Sequence, residues 1–323
     1  MFAMKKTNFI KNNWINFILI VFLLVFPGFT NTYYMHLFAK YMAYIIFAFG
    51  FSMLWGYSGI LSFGHSAYFA FGAYTLCMVL KFVGGSELTI LGLVLAIIIP
   101  MVIAAIFGFF VFYGRVNGVF FGIITLAFTT IQMQVFINYS KVTGGTSGIR
   151  GYAEPMIGPL RMNDAKTLYY MAFVLMILAY LLCKKIVNSP FGLIMNGVKN
   201  NESRMEFLGY NVPFIKLVIF VIAGGLAGLG GALSVPVAYT SPTLFEMAMS
   251  TSVIVWVAVG GRDNLAGCFI GVFLIEFLGS VLSSYMQDTW QMVIGLIMVL
   301  VVLFWPKGIM GSVKAKFGKT FLG

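Results

Sequence analysis

The groups that could do chemistry in this chain are few, and they sit in four places. Glu276, in GVFLIEFLGS, is the one carboxylate deep inside an apolar run. An acid at that depth suits proton or ion coupling, because ionisable groups inside a membrane are costly and mark function by default. It equally fits a protonated acid or a position nearer an interface, and no lysine or arginine in the apolar runs is an evident partner. His65 stands within GYSGILSFGHSAYFAFGAYT, residues 56–75. Its imidazole can line a pathway or act as a capping and hydrogen-bonding group at a helix end. With no partner for a proton relay, the structural role is the expectation. Thr125, Thr129 and Gln132 recur at spacings of four and three in GVFFGIITLAFTTIQMQVFINY, so they share one helix face. The Gln132 amide needs a partner, since an unpaired polar group in lipid costs several kcal/mol. A wet or substrate-lined face would supply one, and so would a neighbouring helix. Glu202 and Glu206 lie one turn apart in ESRMEFLG, beside apolar Met205, Phe207 and Leu208. A short amphipathic helix of this kind docks on a partner or lies on the bilayer.

None of these groups forms a catalytic set. GHSAY at 64–68 lacks the closing glycine of a nucleophile elbow and lies in an apolar helix instead of a strand–turn–helix. GKT at 318–320 lacks the glycine five residues before Gly318 and the following helix of a phosphate-binding loop. Cys77, Cys183 and Cys268 are scattered inside apolar runs, so core packing is their expected role. Asp, Glu and His never cluster with metal-ligand spacing. We therefore expect no catalytic residues, no metal site and no cofactor in this chain.

What must position the four groups is a set of membrane helices. Of the 323 residues, 61% are apolar and only 9% charged, where a soluble domain carries roughly 25%. The apolar runs have helical length, and helices satisfy their own backbone in lipid. Spans are predicted at 15–29, 36–55, 65–83, 88–112, 118–139, 167–187, 214–236, 247–261, 265–285 and 289–306. The fold class is thus an all-α polytopic bundle of about ten helices, with 15–29 and 247–261 short enough to be re-entrant. The chain carries a net charge of +11. Its lysines and arginines concentrate before the first span, after the last, at Arg115 and Arg262, and around the 188–213 loop. Lys40, Lys81, Lys141, Arg150, Arg161 and Lys166 remain for the other side. By the positive-inside rule both termini are expected in the cytoplasm. The basic excess therefore reports topology and not nucleic-acid binding. The N-terminus, lysines followed by INFILIVFLLVF, lacks a small-x-small cleavage site and is expected to stay as an uncleaved helix.

Within that frame, Gly64, Tyr68 and Gly72 fall four apart, the spacing that lets helix backbones approach in lipid. Gly56 and Gly59 suit a break before the helix, with Ser58 and Ser62 offering hydroxyls to freed backbone groups. Broken helices mark transporter binding sites, and packing glycines explain the same residues. AGGLAGLGGAL at 223–233 and Gly267 with Gly271 repeat the close-packing spacing. Asn200, Asn201 or Ser203 is expected to cap the ESRMEFLG helix and Gly209 to end it.

Four stretches in order resemble one family. They are LWGYSGILSFGHSAYFAFGAYT; GRVNGVFFGIITLAFTTIQ with TGGTSGIRG; SPFGLIMNGVKNNESRMEFLGYNVPFIKLVIFVIAGGLAGLGGAL; and VIVWVAVGGRDNLAGCFIGVF. Together they are similar to the permeases of branched-chain amino-acid ABC importers, M-type subunit. Phe63 and Ser66 depart mildly from the Leu and Ala common there. Permeases for urea and short amides share the wording at Trp55–Tyr57.

The resemblance implies one transmembrane permease domain over residues 1–323 in a bacterial inner membrane. Its partners would be a second, H-type permease, two cytosolic ATPase subunits holding ATP and Mg, and an extracytoplasmic binding protein. It places the ATPase contact on Glu202, Glu206, Leu208 and Gly209, within the cytoplasmic loop 188–213. The charge count, apart from the resemblance, puts the loop 140–166 on the extracytoplasmic side. The competing expectation is a self-sufficient, proton-coupled transporter using Glu276.

Overall fold

The computed structural model describes residues 26–28, 30–286, 289, 292, 293, 295, 296, 299 and 308–311. The expected spans at 15–29 and 289–306 lie largely outside them. The described residues are mostly helical. They form α1 (Thr32–Ser52), α2 (Ser66–Met78), α3 (Thr89–Tyr113), α4 (Val119–Asn138), α5 (Ala165–Val187), α6 (Pro190–Asn200), α7 (Glu202–Phe207), α8 (Val212–Ser234), α9 (Met247–Gly260) and α10 (Leu265–Tyr285). Seven helical segments among them are long and apolar enough to cross a membrane, against about ten read from the sequence. The 14 residues of α9 reach only about 21 Å at the helical rise, short of the roughly 30 Å hydrocarbon core.

Helix starts follow local chemistry. Asp164, Asn201, Asn211 and Asn264 each accept a hydrogen bond from a backbone N–H in the first turn of α5, α7, α8 and α10 respectively, satisfying donors the helix cannot. Asn201 is thus the cap among the three candidates. Gly209, at φ 86°, turns the chain out after α7 in a conformation that favours glycine.

The core is built around α8, which packs against α3, α1 and α2. Its glycines let backbones meet. A Cβ on Gly72 of α2 would strike the Gly228 backbone of α8, and one on Gly228 would strike the Ala96 carbonyl of α3. That carbonyl is free to face α8 because Pro100, four residues on, has no N–H to donate. Around this contact lies an aromatic core that includes Phe47, Phe49, Phe69, Phe220 and Trp256, all fully buried. By contrast α3, α4 and α5 turn long apolar faces outward.

The 140–166 segment is folded, and it departs from an all-helical chain. Strands β1 (Met156–Ile157) and β2 (Leu160–Arg161) pair antiparallel. Earlier in the segment, Ile149 N–H donates to the Thr240 carbonyl at 3.2 Å. Arg150 donates to the Tyr239 hydroxyl, which donates in turn to the Ser147 carbonyl. Burial pushes the Tyr152 phenol up to about 12.

Candidate coupling site and transport path

α1 ends in a wider π-helical turn, Met53–Tyr57, and the chain then runs irregularly to Ser66. Two of the expected break residues take up the freed backbone there. The Ser58 hydroxyl donates to the Leu54 carbonyl at 2.5 Å, and Gly59 adopts φ 77° against the Lys199 stem. Gly56 leaves room for the Arg262 carbonyl, which a Cβ would strike. Ser62 differs from expectation: its hydroxyl is buried without a hydrogen-bond partner among the described residues, because the backbone near it is satisfied from α4. Phe63 N–H donates to Thr125 Oγ1 at 3.2 Å, and Thr129 Oγ1 donates to the Gly64 carbonyl at 3.0 Å.

Thr125 and Thr129 therefore hold α4 against the start of α2. Gln132, on the same face of α4, is half-buried and makes no hydrogen bond within the described residues. His65 sits at the cap position of α2 but makes no capping bond. Its ring instead stacks on Phe47, with centroids 5.6 Å apart and planes 6° apart. Phe51, Tyr68 and Phe220 close around it, and the Ala223 backbone lies alongside. Packing has taken the ring away from the helix end. The Ser66 hydroxyl accepts from Ser250 of α9 at 2.7 Å, which fixes the α2 start from a second side.

The break is also tied to the segment expected as a loop at 188–213. That segment is two helices, α6 and α7. Pro190 opens α6, and its Met195 and Val198 are buried. At its end the Lys199 ammonium donates to the Gly56 carbonyl at 2.5 Å and to Asp263 Oδ1 at 2.7 Å. Tyr57 donates to the Asp263 carbonyl at 3.1 Å, and Ser52 to the Arg262 carbonyl at 3.2 Å. One lysine thus joins α6, the break after α1, and the turn between α9 and α10.

A second tie anchors α7. Lys216, 5% exposed near the start of α8, donates to Glu202 at 2.7 Å and to Asn117 at 2.8 Å. Removing one partner of such a pair leaves a buried charge unmatched. Glu202 therefore faces inward to Lys216. Glu206 only approaches Arg115 at 3.9 Å, with both side chains well exposed, a contact worth about 0–1 kcal/mol. The tip beyond is apolar and bare: Phe207 is 92% exposed and Leu208 67%. Lys199, Lys216 and Asp263 are the residues the sequence reading missed. The two lysines entered it only through the charge count and Asp263 not at all, and their partners lie far off in the chain.

Glu276 is not isolated. It lines a cavity of about 590 Å³ with Lys40 of α1, together with Tyr41, Trp256 and several hydroxyls. Lys40 faces the same cavity, and no ion pair among the described residues joins it to Glu276. Residues 40 and 276 belong to helices that pack together.

The arrangement is a bundle with a broken helix clamped by a two-helix arm. The chain is 25% identical over 295 residues to the high-affinity branched-chain amino acid transport system permease protein LivM of Escherichia coli K12, covering 83% of this chain and 68% of that protein. It is 22% identical over 319 residues to the probable branched-chain amino acid transport permease protein LivM of Methanocaldococcus jannaschii, covering 82% and 90%. The ribose import permease protein RbsC of Escherichia coli K12 is 25% identical over 223 residues, covering 64% and 66%. No solved structure matches. The family described as branched-chain amino acid transport system / permease component matches residues 33–302, so the chain belongs to that permease family.

Proposed function

We propose that this chain is the M-type permease subunit of an ATP-driven importer of leucine, isoleucine and valine in a bacterial inner membrane. An H-type permease pairs with it, two ATPases carrying ATP and Mg bind at the end that holds α6 and α7, and a binding protein delivers substrate at the opposite end. The observation that carries this reading is the bare Phe207–Leu208 tip, on an arm whose Lys199 grips the break after α1. A push on the tip from a moving partner would reach the break through two charge-assisted hydrogen bonds, the stronger class of such contacts. The positive-inside excess supports a cytoplasmic place for the same end. Alternating access would follow from the spans shifting around the break.

The relatives named for branched-chain amino acids support the substrate class. Labelled leucine, urea and ribose offered separately to the complete set in proteoliposomes test it. Leucine uptake alone is expected. Uptake of urea or ribose in its place would keep the permease and change its substrate.

A further inference from the structure

The cavity shared by α1, α9 and α10 measures about 590 Å³, within the size range of small-molecule sites. Lys40 and Glu276 bring opposite charges to its wall. They do not close on each other: no ion pair among the described residues joins them. The Lys40 ammonium rests over the Tyr44 ring, 5.2 Å from its centroid. Tyr41 and Trp256, 0% and 1% exposed, bring a hydroxyl and an indole N–H that complete no well-formed hydrogen bond among the described residues. Tyr41 turns toward Ser280 and Trp256 toward Glu276. Ser252 donates to its own helix at the Ala248 carbonyl, which leaves its oxygen able to accept. Leu37, Val255 and Ile275 add an apolar patch to a wall that also carries Thr251, Ser280 and Ser283.

Opposite charges facing one cavity without touching ask for a ligand that carries both signs. An anion or a cation would satisfy one and leave the other unmatched at a high cost. A neutral amide or sugar would satisfy neither. We propose that this cavity binds a free α-amino acid, with Lys40 taking its carboxylate, Glu276 its ammonium, and the apolar patch its aliphatic side chain. The site rests on the importer reading and places a substrate-selecting station inside the permease. A zwitterionic lipid headgroup shares the chemistry, and the test separates the two.

The full chain in phosphatidylcholine nanodiscs is probed by saturation-transfer NMR with leucine, isocaproate (no ammonium) and isoamylamine (no carboxylate). Leucine is expected to bind about tenfold more tightly than either analogue, the loss that one charge-assisted contact carries. E276Q and K40M are expected to lose the leucine signal to a similar degree, and the double swap K40E with E276K to regain part of it. Should a variant misfold, the three-probe comparison on the unaltered chain decides alone. Equal signals from the three probes, or full leucine binding by both single variants, overturn the site. So does loss of the leucine signal when phosphatidylethanolamine replaces phosphatidylcholine, which assigns the cavity to a headgroup. ATP-driven leucine uptake by the complete importer, measured beside these, shows whether the site alone has failed or the importer reading with it.

Discussion

The ammonium of Lys199 donates to the carbonyl oxygen of Gly56 at 2.5 Å, across 143 residues of chain. That bond joins the end of α6 to the turn where α1 breaks, and the same ammonium holds Asp263 at 2.7 Å. A carbonyl released by a helix break needs a donor, and here the donor comes from the arm expected to meet the ATPases.

Lys199→Met should uncouple transport. The stem is kept and two charge-assisted bonds are lost, each worth about 1.5–3 kcal/mol. We expect ATP-driven uptake to fall about tenfold or more while ATP hydrolysis by the assembled complex persists. Parallel assays of uptake and phosphate release check this, and equal losses in both would point to general misfolding.

Phe207→Glu should abolish ATPase docking without disturbing the chain. Phe207 is 92% exposed, so little inside the bundle is lost, and surface changes of that kind usually stay within about 0.5 kcal/mol. Affinity purification of the complex should lose its ATPase subunits while the melting temperature of the isolated chain holds.

Gly72→Val tests the helix crossing at the core. A side chain there meets the Gly228 backbone, which cannot move aside as a flexible side chain would. Overpacking costs about 1–3 kcal/mol or more. The detergent-solubilised chain should melt several degrees lower or fail to accumulate in the membrane.

Thr129→Val keeps the shape of the α4 face and removes the donor to the Gly64 and Thr125 carbonyls. A loss of about 1 kcal/mol is expected, read as a lower melting temperature. Hydrogen exchange should quicken at residues 63–68, where the start of α2 loses a support.

The membrane helices were legible because long apolar runs leave few alternatives in lipid. The seven long described spans begin and end within a few residues of where hydropathy put them. α6 was not legible: only a few of its 11 residues are buried, too few to stand out from a polar loop. Thr125 and Thr129 were readable as one face, but not their partner, because a threonine pattern does not say which backbone it will meet. His65 misled toward a cap, since its position before α2 fits one while its ring joins Phe47. The Lys40–Glu276 cavity was hidden for the same reason as the Lys199 clamp. Both join residues whose nearness is created by the packing of α1, α6 and α10 and by no local signal.

The most direct test of the account is leucine uptake into proteoliposomes holding this chain with its partner permease, ATPases and binding protein, compared with this chain alone. Each preparation is energised either by ATP on the ATPase side or by a proton gradient. The account predicts leucine accumulation only in the complete set and only with ATP. Gradient-driven accumulation by this chain alone would contradict it.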